Sequence, residues 1–364
     1  MQLNLSAKLS ALLLLVLPFI TSCNDEVSVE APEYDLDGVI IANAGNYGSG
    51  NGSLDLYNES TGVLSRGVFE SANGRQLAAG IESVGLKDSI GLIQCNAADK
   101  VEFFHAETFK TLAAPIAEGI VKPRYVAFNG DFAYVTCWGK NTPEWTLPDS
   151  YVAKISLNDF KVVKELKTGE GAEGIAVSDG KIFVANSYET SVSVFDVLTD
   201  QLIEKIEVKG KPQHFVKDRE GGLWLSLSEI EKGIVSINTS SLEVSDVYEQ
   251  GQIGSDGAMA YSIEQHKIYL LGASPWYQDD SGEWVNDNEG WIFEFDLNSK
   301  QFADQPIVAG PTFYGLGFDD ENQKLYLSDP KGFVGNGQAL IYDVFGEKEK
   351  SLDVGMNPFH FVFR

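Results

Sequence analysis

Cysteine, histidine and positive charge are all scarce in this chain. Three cysteines in 364 residues cannot supply a disulfide framework. The 4 histidines, His105, His214, His266 and His360, share no short ligand spacing, and no Cys/His cluster is present for zinc, so no metal site is expected. Lys and Arg number 27 against 53 Asp and Glu, a formal charge of -26, which attracts cations and excludes a groove that tracks nucleic-acid phosphates. Missing too are a Gly-x-Ser-x-Gly nucleophile elbow, a phosphate-cradling Gly-Lys-Ser/Thr loop and an Asp-x-Asp-x-Asp-Gly calcium loop. With 12 prolines and a hydrophobic share of 43%, the chain has an ordinary globular composition and no long disordered stalk.

The apolar run at residues 9–20 is broken by Pro18 and is shorter than the roughly 20 residues a membrane-spanning helix needs. Lys8 precedes it, and Thr21 and Ser22 lead to Cys23, the pattern of an exported segment cut before the cysteine. Residues 17–23 resemble a bacterial lipoprotein signal, which implies that 1–22 is a signal peptide and that Cys23 carries the lipid anchor. Residues 23–37 then form an acidic tether, with Asp25, Glu26, Glu30, Glu33, Asp35 and Asp37 unopposed by any basic residue. Its first residues, Asn24, Asp25 and Glu26, are similar to part of the surface-export signal of Bacteroides-type lipoproteins, so the expected location is the outer membrane, exposed at the cell surface. Cys95 and Cys137 are expected as buried small side chains at strand ends, with a mutual disulfide as the alternative.

From residue 38 to 364, short runs alternate with period two between Gly, Asn and Asp turns, and no sustained helical period exists. The clearest unit has four strands, A to D, at 173–177, 181–186, 191–197 and 202–208. The same order recurs from 82, 124, 213, 257 and 314, with D strands expected at 109–114, 243–248 and 302–307 among these copies. At the N-terminus 39–43, 52–57 and 63–69 supply B, C and D without an A, while 359–363 read as an A strand with nothing after it. Joining these fragments makes a seventh blade and leaves no open edge, so the expected fold is an all-β, seven-bladed β-propeller of four-stranded blades. The repeat, roughly 49 residues, is slightly above the usual blade length.

In a propeller the D-to-A and B-to-C connections share one face, and the A-to-B and C-to-D turns the other. The second set here is short and built from Gly, Asn and Asp, such as 129–131 and 198–200, and needs no functional explanation. The B-to-C loops are irregular and aromatic, with Tyr47, Trp138, Trp145, Tyr188, Trp276, Tyr277, Trp284 and Phe333 set among Gly, Ser and Asn. Such loops suit a recognition surface. Aligned starts of strand A place Glu82, Arg124, Glu173, Gln213, Asp256, Tyr314 and Phe359 at one position of a ring lining the channel, with His214 and His360 one step further in. These loop aromatics and ring residues are the candidate ligand contacts, Trp284 aside. Acid pairs such as Glu173 and Asp256 could also hold calcium or act as acid and base in a hydrolase or lactonase, but 53 scattered acids supply pairs by chance, so no enzyme is expected.

Three stretches, Pro311-Thr-Phe-Tyr-Gly-Leu-Gly-Phe-Asp-Asp320, residues 324–337 and Gly355-Met-Asn-Pro-Phe-His-Phe-Val-Phe363, resemble the last blade and closing strand of a family of seven-bladed propeller lipoproteins from Bacteroides-type bacteria. Members of that family include surface proteins that capture vitamin B12 and related corrinoids and pass them to a TonB-dependent outer-membrane transporter. The resemblance implies a corrinoid as transported ligand, such a transporter as partner and no resident cofactor. A broad disc edged with amides suits a wide aromatic face. The alternatives are a surface glycan receptor, whose sugars would stack on the same rings, a structural protein contacting another protein across that face, and, less well supported, a propeller hydrolase.

Overall fold

A computed structural model describes Tyr34, residues 38–46 and residues 50–364. The expected signal peptide at 1–22, Cys23 with its tether apart from Tyr34, and Tyr47 lie outside the described residues. The architecture is all-β, with seven antiparallel blades in a ring. Their inner strands are Ile81–Lys87, Pro123–Asn129, Ala172–Ser178, Gly210–Lys217, Met259–Ser262, Gly315–Asp319 and Pro358–Phe363. Each inner strand touches the next, and Pro358–Phe363 touches both Gly315–Asp319 and Ile81–Lys87, which completes the circle. We number the blades 1 to 6 from Ile81, and call the one made from both ends of the chain the closing blade.

In the closing blade, Pro358–Phe363 pairs antiparallel with Val39–Asn43, with Val39 opposite Phe363 and Ile41 opposite Phe361. The C-terminal strand thereby supplies the inner edge that the N-terminal strands lack.

The core sits between neighbouring blades. Middle strands such as Phe132–Cys137 and Tyr151–Ser156 are buried on both faces, so their sequences are nearly continuous apolar runs, whereas the outer strand Lys161–Lys167 is largely exposed. Val101 and Phe103 of blade 1 pack against Val135, Ala153 and Ile155 of blade 2, and the same interdigitation repeats around the ring.

Departures from the expected pattern concentrate in outer strands, where pairing is weakest. The strand expected over 63–69 ends at Ser65, and Val68–Asn73 forms a short helix. Gly67, at φ 58°, donates its N–H to Asp55 Oδ1 at 2.9 Å, which turns the chain and buries Val68 and Phe69. In blade 5 the strand expected at 302–307 splits into Gln301–Phe302 and Val308–Pro311, because Pro306 between them has no N–H to donate. Blade 4 keeps only Tyr248–Glu249 and an isolated bridge between Ile237 and Val244 where 243–248 was expected. In blade 1 the outer strand starts at Thr111 rather than 109, since Phe109 turns the chain at φ 55°. Cys95 and Cys137 are buried free thiols, each pushed up to about 12 by burial, so the alternative of a disulfide between them is not realised.

Candidate ligand-binding site

The ring position predicted from strand A is created by β-bulges. In blade 1 the pairing passes from Ile81 opposite Cys95 to Ser83 opposite Gln94, leaving Glu82 as an extra residue. Blade 2 passes from Pro123–Cys137 to Val126–Val135, blade 3 from Ala172–Asn186 to Ile175–Val184, and blade 4 from Pro212–Leu227 to Phe215–Leu225. The bulges therefore fall on Arg124, Glu173 and Gln213, and Phe359 is the extra residue of the closing blade. A bulge kinks the strand and re-aims its side chains, so five of the seven ring residues share one local cause. Asp256 and Tyr314 reach the ring from the segments just before Met259–Ser262 and Gly315–Asp319.

Hydroxyls on the second strands take up the N–H groups that the bulges release. Thr136 Oγ1 accepts from Tyr125 N at 3.0 Å, and Ser226 Oγ accepts from His214 N at 3.1 Å. Thr136 Oγ1 also donates to the Glu173 carbonyl at 2.7 Å, and Ser83 Oγ donates to the Arg124 carbonyl at 2.6 Å, which ties successive blades at the level of the site. Residues following the ring alternate in size. A side chain at Gly174 would strike the Gln213 carbonyl and one at Gly315 the Phe359 carbonyl, so close approach of neighbouring strands requires glycine there.

Arg124 is held between two acids. Its Nη1 lies 2.6 Å from Glu82 Oε2, its Nη2 donates to Glu173 Oε1 at 2.6 Å, and its guanidinium sits 4.2 Å from the Trp138 ring centroid. Trp138 Nε1 donates to Glu173 Oε2 at 2.8 Å, and the Trp138 ring meets Tyr188 edge-on at 5.7 Å. Burial opposes the Arg124 charge, but the Glu173 and Glu82 carboxylates outweigh it and hold the guanidinium above its ordinary range. Burial raises Glu82 to about 7 against the pull of Arg124, and raises Asp256 to about 6 against the N–H of Ala258.

The other half of the mouth is aromatic. Tyr314 lies 4.7 Å from Phe359 and 5.0 Å from Phe333, between ring centroids, and Tyr125 packs edge-on against His214 at 4.7 Å. Below the ring is a cavity of about 180 Å³ bounded by Tyr125, His214, Asp256, Tyr314, Phe359 and His360. Burial lowers His214 and His360 to about 4, so both rings are neutral at pH 7.

The structure thus joins Glu82, Arg124, Glu173, Trp138 and Tyr188 in one contact network and gathers Asp256, His214, Tyr314, Phe359 and His360 around the cavity, with Phe333 packed against Tyr314. Gln213 also stands at the ring position, buried, with its Nε2 donating to Ser228 Oγ at 2.8 Å. Trp145, Trp276 and Tyr277 stand apart from this network as exposed rim residues, with the Tyr277 hydroxyl bonded to Asp287 on its own loop. Sequence reasoning missed Tyr125, which follows a ring residue in a strand that otherwise reads as structural. It also missed Ile230, which is 71% exposed at φ 67° on the same face. Among the described residues no group of three or more His, Cys, Asp or Glu is placed to hold a metal ion.

Solved propellers share this fold at low identity. A hydrazine synthase of Kuenenia stuttgartiensis is 15% identical with a TM-score of 0.62, covering 77% of this chain and 88% of its own. A quinoprotein alcohol dehydrogenase-like protein of Bacteroides thetaiotaomicron is 15% identical, TM-score 0.65, covering 90% and 78%. A Bacteroides uniformis protein provisionally named a 6-phosphogluconolactonase is 13% identical, TM-score 0.66, covering 91% and 100%. No curated protein sequence matches the chain. Residues 37–362, the whole propeller, match one family model, and the chain belongs to that family, described as a domain of unknown function, DUF5074.

Proposed function

We propose that the loop face binds a broad, partly apolar organic ligand of the corrinoid class, and that the protein, anchored by Cys23 at the outer membrane, holds it for a TonB-dependent transporter without chemical turnover. The supporting observation is the presentation of the rim aromatics. Trp145, Trp276, Trp284 and Phe333 are 75%, 67%, 66% and 49% exposed. Trp145 and Phe333 are held at φ 63° and 62°, a left-handed backbone that costs a non-glycine residue about 1–2 kcal/mol and that accumulates at functional loops. Exposed rings on strained backbone around a mouth whose one arginine is already neutralised favour recognition by area and stacking over charge.

The test is titration calorimetry of the purified protein with cyanocobalamin, run beside a panel of oligosaccharides. Saturable binding of cyanocobalamin, weakened by Trp276→Ala, is expected. Binding of an oligosaccharide with no response to cyanocobalamin would instead make the same face a glycan receptor.

A lactone hydrolase is the second reading. It draws on the likeness to a propeller named for lactonase activity and on Glu82 and Asp256, two carboxyls held near neutrality in the mouth. Turnover of a sugar lactone by the wild type, abolished by Glu82→Gln, would establish it.

A further inference from the structure

We propose that the cavity beneath the ring is a separate subsite for a small organic ammonium ion. The inference rests on the reading of this face as the ligand-binding face, but not on the identity of the molecule that covers the rim. Two kinds of group converge on the cavity. Tyr125, Tyr314 and Phe359 offer aromatic rings, the last two 4.7 Å apart, and His214 and His360 add two more ring faces. Asp256 offers a carboxylate whose one hydrogen bond among the described residues is a long 3.3 Å contact from the Ala258 N–H.

Aromatic faces with a carboxylate are the chemistry that recognises alkylated and primary ammonium groups, through ring quadrupole and ion pairing together. An anion finds no free cation here, since Arg124, the one basic side chain of the ring, is bonded to Glu82 and Glu173. A neutral guest would leave Asp256 without a counter-charge. The volume of about 180 Å³ admits a group the size of trimethylammonium and excludes a large heterocycle. The formal charge of -26 on the whole chain draws cations to it.

Choline, ethanolamine and the uncharged carbon isostere of choline, 3,3-dimethyl-1-butanol, are the probes, each titrated calorimetrically into the full protein and again in the presence of cyanocobalamin. Either ammonium compound should bind, and the isostere at least tenfold more weakly. Asp256→Asn should weaken the ammonium ion at least tenfold while leaving a folded protein, as judged by its melting curve; Leu198→Ser, exposed on the opposite, turn face, should leave it unchanged. Equal binding of choline and its isostere, or no binding of either ammonium compound, overturns the proposal, and that comparison in the wild type does not depend on how any variant folds. If cyanocobalamin binds and ammonium ions do not, the subsite alone fails. If ammonium ions bind and cyanocobalamin does not, the subsite stands and the corrinoid reading fails.

Discussion

Trp138 Nε1 donates a 2.8 Å hydrogen bond to the Glu173 carboxylate that also holds Arg124. This makes Trp138 a part of the mouth's framework as well as a candidate contact, and separates it from the exposed Trp276. Trp138→Ala should lower the melting temperature and ligand affinity together, because it removes one of the two donors to Glu173 Oε2 and uncovers the guanidinium. Trp276→Ala should lower affinity alone, by about 2 kcal/mol or roughly thirtyfold if the ring is a buried anchor in the complex. Parallel thermal melts and calorimetry check this, and equal melting temperatures for both variants would remove Trp138 from the framework.

Arg124 is the shared cation of two acids, so its removal differs in kind from removal of either partner. Arg124→Met leaves Glu82 and Glu173 buried side by side without a counter-charge and should cost about 3–5 kcal/mol in denaturant unfolding. Adding Glu82→Gln and Glu173→Gln to Arg124→Met should restore much of that loss, since three neutral groups need less solvation than two orphaned carboxylates. If the triple variant is no more stable than Arg124→Met, repulsion between the acids is not what the arginine relieves.

The ring was legible in the sequence because a repeated four-strand order fixes equivalent positions, and equivalent positions in a propeller converge on the channel. What the side chains do there was not legible. Gln213 occupies the right position yet turns to Ser228, and Trp138 turns to Glu173, because both choices depend on neighbours 15 and 35 residues away that no local pattern couples. The turn face was also underestimated. Asp200, which reads as a simple turn residue, accepts from buried Lys154 at 2.8 Å and from Lys164 at 3.2 Å, joining blade 3 to blade 2. Asp200 is thus a structural joint. Outer strands escaped for a different reason: with one paired edge each, they yield to a proline such as Pro306 or a glycine such as Gly67 that a central strand would not contain.

Closure of the ring predicts a strong asymmetry between the two ends of the chain. Deleting residues 359–364 removes the inner strand that Val39–Asn43 pairs with and that bridges the neighbouring inner strands. It exposes the edge of Val39–Asn43 and empties the contacts of Phe361 and Phe363 with Tyr326. Deleting residues 24–33 removes none of these. The first deletion should abolish the cooperative denaturant transition or shift its midpoint far down, and the second should leave it in place; coincident midpoints would sink the closure argument.

The cavity histidines and Asp256 give stability opposite dependences on pH. Burial lowers His214 and His360 from 6.5 to about 4, so between those values the unfolded chain binds more protons and the stability these rings permit is lost as pH falls. Burial raises Asp256 from 3.8 to about 6, so in that window the folded chain holds the proton more tightly, and the stability this contributes is present at low pH and lost as pH rises through 6. The two slopes oppose each other in the wild type, and each variant unmasks the other. Asp256→Asn should gain stability relative to wild type as pH rises from 4 to 7, by on the order of 1–2 kcal/mol. His360→Phe should gain relative to wild type as pH falls through the same range, because the unfolded variant no longer takes up that proton. Denaturant midpoints at four pH values across this range measure both differences. A constant offset between Asp256→Asn and wild type at every pH would mean that the Asp256 carboxyl titrates alike in the folded and unfolded chains, and that it is not enclosed by the cavity.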